Sequence, residues 1–207
     1  MQAIMISIQP QWVEKILNGE KTIEIRKTRP KIDLPCKVYI YCTKGQELWG
    51  DGTGETWHGI DENEDMQLVH ELNPTLARLN GKVVAEFTLN EVETIEKNQV
   101  YNASVVRHNA CLNIMQLHDY IKGKRFHAWH IDNLKIYNTP KELSEFRKDL
   151  DCDDYPCNKN RDCKYNYYDT SEGCWACGID FDGSNCIYKQ IKKPPQDWCY
   201  VEEVYNK

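Results

Sequence analysis

The sequence predicts an α+β fold, mostly β: a small, mainly antiparallel β-barrel with flanking helices and a cysteine-rich insertion before its last strand. Three observations carry this expectation. Apolar residues occur in short runs or in alternation, as in strands with a buried face. Helical spacing is confined to a few short segments, without the repeating strand-helix alternation of a parallel α/β sheet. Seven of the ten cysteines lie between Cys152 and Cys199, which marks a local device set into an otherwise ordinary domain.

Each element follows from its own residues. Residues 3–8 form an apolar run that reads as a strand. Pro10 then suits the first position of a helix and Gly19 the position just past its end. Between them Trp12, Val13, Ile16 and Leu17 form an apolar stripe. Residues 22–27 alternate, with Ile23 and Ile25 on one face and Thr22, Glu24 and Arg26 on the other, which predicts a strand buried on one side. Val38, Ile40 and Cys42 against Tyr39 and Tyr41 repeat the pattern. From 45 to 80 the periodicity stops and eight acids stand against Arg78 alone, an acidic excursion in which only 66–79 has helical spacing. Strand character resumes over 82–89, a helix is expected over 112–122, and 126–137 reads as one long strand. Thr139 and Pro140 have the chemistry of an N-cap and first helical residue. Residues 198–204 supply a closing strand. The expected domains are a barrel formed by 1–148 and 188–207, carrying the acidic excursion, and a cysteine-rich insertion at 149–187.

Composition sets the outer bounds. With 207 residues, 41% hydrophobic and 28% charged, the chain fits a soluble globular protein with a sizeable core. It has no apolar run long enough to span a membrane and no basic leader followed by an apolar stretch, so the expected location is the cytoplasm. The net charge of -6 is unevenly divided. Residues 1–44 hold eight Lys/Arg against four Asp/Glu, whereas the remainder is strongly acidic. A nucleic-acid partner is therefore excluded for most of the surface but not for the amino-terminal third.

Within that third, Glu24 and Arg26 stand two residues apart on one strand face, and Lys21 adds a cation at the helix-to-strand turn. Such a group can hold a phosphate or the hydrogen-bonding edge of a base. Spacing alone is met more readily by a solvated face with a surface ion pair. Tyr41 and Trp129 offer rings on which a base could stack, although a strand tryptophan also reads as core. The histidines lack metal-type spacing except His127 and His130, which a strand would point to opposite faces.

Gly19, Lys21, Glu24 and Arg26 match the G-x-K-x-x-E-x-R signature of the ASCH domain family, which the chain resembles over roughly 1–44, 81–147 and 190–205. The stretches Val38-Tyr39-Ile40-Tyr41-Cys42-Thr43, Ala128-Trp129-His130-Ile131 and Pro194-Pro195-Gln196-Asp197-Trp198 extend the likeness. The resemblance implies a PUA-like β-barrel whose cleft beside the signature strand binds RNA, a nucleotide or a modified base. On this reading Lys21, Glu24, Arg26, Lys27, Tyr41 and Lys44 are the ligand-binding residues. It also brings in an enzymatic alternative, a ribonuclease or a hydrolase of modified nucleosides such as acetylcytidine, for which Lys21, Glu24 and Glu86 would be the catalytic candidates. That branch uses a threonine three residues after the lysine, and Glu24 occupies the position here. A third class, an interaction protein, would recruit a protein partner through the acidic excursion.

Cys174 and Cys177 form a C-x-x-C pair, the spacing by which two thiolates reach one tetrahedral metal. Cys157 and Cys163 are taken as the remaining ligands, with Cys152 and Cys186 also within the segment. The expected cofactor is zinc, because a short polar segment has too little apolar mass to fold unaided. Disulfides, free thiols and a redox C-x-x-C remain alternatives.

Overall fold

The computed structural model describes residues 2–50, 57–60, 77–122, 124–148 and 191–203. Eleven strands and three α-helices lie among them: β1 (Gln2–Ile8), α1 (Pro10–Leu17), β2 (Ile23–Arg26), β3 (Cys36–Cys42), β4 (Glu47–Gly50), β5 (Trp57–Ile60), β6 (Ala77–Arg78), β7 (Lys82–Leu89), β8 (Val92–Ile95), α2 (Ser104–Asn109), α3 (Ile114–Ile121), β9 (Phe126–His130), β10 (Asp132–Glu142) and β11 (Trp198–Glu202). They form a five-stranded sheet in the order β10-β7-β3-β1-β11 and two three-stranded sheets, β2-β9-β8 and β5-β4-β6. All pairings are antiparallel except β1 with β3. The fold is thus mostly β with few helices, as expected. Among the described residues no sheet closes its own ladder into a barrel.

The five-stranded sheet is covered on both faces, which explains why β1 is an unbroken apolar run. Ile4, Ile6, Val38, Ile40 and Phe87 face one cluster, joined by Val13 and Ile16 of α1 and by Trp129. Met5, Tyr39, Val83 and Val201 face the other, closed by Tyr137, Phe146 and Ile191. The β2-β9-β8 sheet packs its back, Ile23, Ile25, Phe126 and Ala128, on Val106 of α2 and Leu117 and Ile121 of α3. Its front carries Glu24 and Arg26, directly opposite Trp129 and His127 across the ladder. Trp129, which belongs to the first cluster, ties this front to the main sheet.

Helix α1 begins with Pro10 at its first turn and ends before Gly19, whose φ of 76° is the left-handed conformation that lets the chain turn back toward β2. Several local expectations differ from the structure. All four residues of β2 are buried, so the strand has no wet face. The segment 126–137 is broken at Ile131, because β9 belongs to the small sheet and β10 to the large one. Ile131 donates its N–H to Thr22 O at the junction. Residues 139–142 finish β10 instead of starting an α-helix: Lys141 and Glu142 pair with Val83 and Lys82, and Pro140 falls in the register break where no ladder donor is required. Ala77 and Arg78, inside the stretch with helical spacing, pair with Gly50 and Trp49 as β6.

Candidate functional site

The signature residues form a buried chain of alternating charge. Lys21 follows the turn after α1, where its N–H bonds to Lys15 O at 2.9 Å. Its ammonium group is 3% exposed and donates to Ile23 O and Ala110 O, both at 2.9 Å, while lying 3.2 Å from Glu24 Oε2. Two of its three donors are therefore used on backbone carbonyls, and the Glu24 contact is an ion pair. It also sits 5.4 Å from the centre of the Trp12 ring. Glu24 Oε1 is 3.1 Å from Arg26 Nε, an ion pair without the alignment of a hydrogen bond, which leaves that N–H without a hydrogen-bond acceptor among the described residues. One terminal nitrogen of Arg26 donates to Ser7 O at 2.8 Å and the other to Asp197 Oδ1. Burial opposes the guanidinium charge, but Glu24 and Asp197 raise its pKa above the ordinary arginine value.

Asp197 is where this chain reaches solvent: its side chain is 40% exposed, against 10% or less for Lys21, Glu24 and Arg26. Thr28 Oγ1 donates to Asp197 Oδ2 at 3.3 Å and in turn accepts from the Trp198 indole at 2.8 Å. Trp198 packs on Trp129, with ring centres 5.9 Å apart, and on Tyr200. Tyr120, on α3, lies in the field of this group: burial raises its pKa, Arg26 lowers it, and Asp197 and Glu24 raise it further. Lys27 lies 4.6 Å over the Tyr120 ring. Behind them the Trp129 indole N–H is fully buried and has no hydrogen-bond partner among the described residues.

The structure therefore brings Lys21, Glu24 and Arg26 together, with Lys27 beside them. Tyr41 and Lys44 are placed elsewhere: Tyr41 belongs to the opposite face of the five-stranded sheet, and both approach Gly81. Glu86 is also separate. It accepts from the Tyr137 hydroxyl at 2.5 Å and lies 4.0 and 3.8 Å from Lys37 and Lys135, on the face of β7 that carries Val83. Lys21, Glu24 and Glu86 do not form one constellation. Burial pushes the thiols of Cys36 and Cys42 up to about 11 and about 12, so neither is a nucleophile near neutral pH. Cys174, Cys177, Cys157 and Cys163 lie outside the described residues; among the described residues no group of three or more His, Cys, Asp or Glu could hold a metal ion.

Sequence reasoning did not single out Asp197, Ser7, Thr28 or Tyr120. Asp197 stands within the Pro-Pro-Gln-Asp-Trp stretch, but its partner Arg26 is 171 positions away and no local pattern connects them. Lys21→Ala is expected to lower the unfolding free energy by about 3–5 kcal/mol, because it leaves the Glu24 carboxylate buried with one cation fewer. Lys27→Ala, which removes an exposed cation, is expected to change it by less than about 1 kcal/mol. Urea unfolding of both variants measures the difference; equal effects would place Lys21 among ordinary surface charges.

No family model and no curated protein matches the chain. Solved structures do. The crystal structure of ASCH from Zymomonas mobilis is 19% identical, covers 69% of this chain and 77% of its own, and superposes with a TM-score of 0.47. Crystal structures of two single-residue variants of that protein, each 18% identical, cover 69% of this chain and 79% and 78% of their own, with TM-scores of 0.46 and 0.47. These structural neighbours are ASCH proteins, the family that the Gly19-Lys21-Glu24-Arg26 signature resembles.

Proposed function

We propose that the chain is an RNA-related, ASCH-type module that binds a nucleotide, a modified base or a nucleic acid at the mouth defined by Asp197, Thr28, Tyr120 and Trp198. One observation carries this reading: a desolvated charge chain ends in one solvent-facing carboxylate flanked by aromatic rings. A carboxylate fixed by Arg26 and Thr28 accepts from the amino or imino donors of a base, and rings beside it stack on the base plane. Lys21 and Glu24 would hold Arg26 in place, and Lys27 over Tyr120 would meet a phosphate. In the same reading the five-stranded sheet and the β2-β9-β8 sheet are walls of a PUA-like barrel that share the core around Trp129. Binding, not catalysis, is the activity favoured, since Glu24 takes the position of the hydroxyl nucleophile and Glu86 is turned to Tyr137 and Lys37.

Titration of the purified protein with nucleosides, nucleotides and short oligonucleotides tests this by calorimetry. Binding is expected for at least one of them, and Asp197→Asn is expected to weaken it about tenfold or more, a loss of about 1.4 kcal/mol or more. Absence of binding by every compound, or an Asp197→Asn variant that binds as well as the parent, would contradict the assignment.

The cysteine-rich segment is proposed as a zinc site on its C-x-x-C spacing, with Cys174, Cys177, Cys157 and Cys163 as ligands. Elemental analysis is then expected to give about one zinc per chain, removable by a chelator. Metal-free protein whose unfolding responds to reductant instead would indicate disulfides.

A further inference from the structure

The excess positive charge of the amino-terminal third is not used up by the signature residues. Lys21 and Arg26 are consumed internally, Lys15 pairs with Glu20, and Lys37 lies between Glu86 and Glu203. What remains is Lys44, which lies against Gly81, and a run directly beyond β2, Lys27, Arg29 and Lys31. A second basic stretch, Lys122, Lys124 and Arg125, precedes β9. Because Arg26 pairs with His127 in the antiparallel ladder, the chain leaves β2 where it enters β9. The segments 27–31 and 122–125 therefore adjoin the same end of the small sheet, which forms its basic edge. Together they hold six bases and no acid. All six side chains are exposed, and among the described residues none of them is in an ion pair. Their fields reach inward: burial lowers the pKa of His127, and Arg125 and Arg29 lower it further against the pull of Glu96.

Six like charges on one edge repel one another and detract from stability. The chain has 32 acids, more than its 26 bases, so lack of counter-charge here is not a matter of supply. The aromatic surroundings narrow the choice of a polyanion. The Tyr120 ring lies under Lys27, and Tyr200 accepts from the Lys31 N–H at 2.6 Å beside Trp198. Cations interleaved with rings fit a backbone of phosphates whose bases are free to stack, which excludes a duplex with its bases paired inside.

We propose that this edge, Lys27, Arg29, Lys31, Lys122, Lys124 and Arg125, is the path of the phosphates of a single-stranded nucleic acid, so that the base at Asp197 belongs to a strand. The strand path rests on the reading of the Asp197 mouth for its base but on separate residues for its phosphates. It makes an oligonucleotide the preferred ligand over a free nucleoside.

Fluorescence anisotropy of the full chain with labelled oligouridylate and oligothymidylate of about ten nucleotides, within the site sizes of single-strand binders, tests this across a salt series. The quadruple variant Arg29→Gln/Lys31→Gln/Lys124→Gln/Arg125→Gln should keep the parent far-UV circular dichroism, since all four side chains are exposed. It is expected to bind at least tenfold more weakly, with the slope of log affinity against log salt reduced by about 2–3, the value for four lost phosphate contacts. The two oligonucleotides separate an RNA from a DNA preference. An unchanged affinity and slope in the quadruple variant, with Asp197→Asn abolishing binding, would overturn the strand path and leave the base site standing. The reverse pattern would support the path and remove the base site. Binding of the parent to phosphatidylserine vesicles but to neither oligonucleotide would overturn the proposal in favour of a membrane surface.

Discussion

A cation enclosed by protein must find its counter-charges within the chain, and the fold around β2 is organised by that requirement. Lys21, Glu24 and Arg26 are each about nine-tenths or more buried, in an environment where an unpaired charge costs several kcal/mol. Their solution is collective. Lys21 donates to the Ile23 and Ala110 carbonyls and pairs ionically with Glu24, Glu24 bridges to Arg26, and Arg26 reaches Ser7 of β1 and Asp197. The chain of charge thereby links β1, β2, the residue after α2 and the segment before β11. Ser7 reinforces the last link by donating its hydroxyl to Pro195 O at 2.7 Å. The mouth at Asp197 is consequently a product of the network: the carboxylate stands where Arg26 and Thr28 hold it.

Two kinds of positive charge are separated as a result. Lys21 and Arg26 are structural in placement, because their donors face inward to carbonyls and carboxylates. The six bases at the edge of the small sheet are solvent-facing and have no acid within their own segments. In the proposed reading a ligand approaching the signature region would first meet the second group, and long-range attraction and local recognition would fall to different residues. Glu86, Tyr137, Lys37 and Lys135 form a further polar group on the far side of the main sheet, and among the described residues no hydrogen bond or ion pair of Glu86 reaches Asp197 or Arg26.

Much of the fold was legible because its signals are local. The Pro10 and Gly19 boundaries, the apolar run of β1 and the strand character of 82–89 need only neighbouring residues to be read. Elements governed by distant pairing were not. β8 exposes Glu93 and Thr94, and α2 spans six residues with Val105 exposed, so neither shows a period long enough to detect. Pro140 looks like a helix start until the pairing of Lys141 with Val83 is known. The site divides in the same way. Lys21, Glu24 and Arg26 are recognisable by spacing, but alternation suggested a wet face, and only the packing of the small sheet against the main one turns that face inward. Asp197 and Tyr120 arrive from remote segments and carry no motif of their own.

The central claim is that Glu24 and Arg26 act as members of one buried network. A double-mutant cycle with Glu24→Gln, Arg26→Gln and the pair, followed by urea unfolding, measures their coupling without reference to any ligand. Residues sharing such a network are expected to couple by about 1–3 kcal/mol. A coupling below about 0.5 kcal/mol, the range of independent sites, would contradict the account.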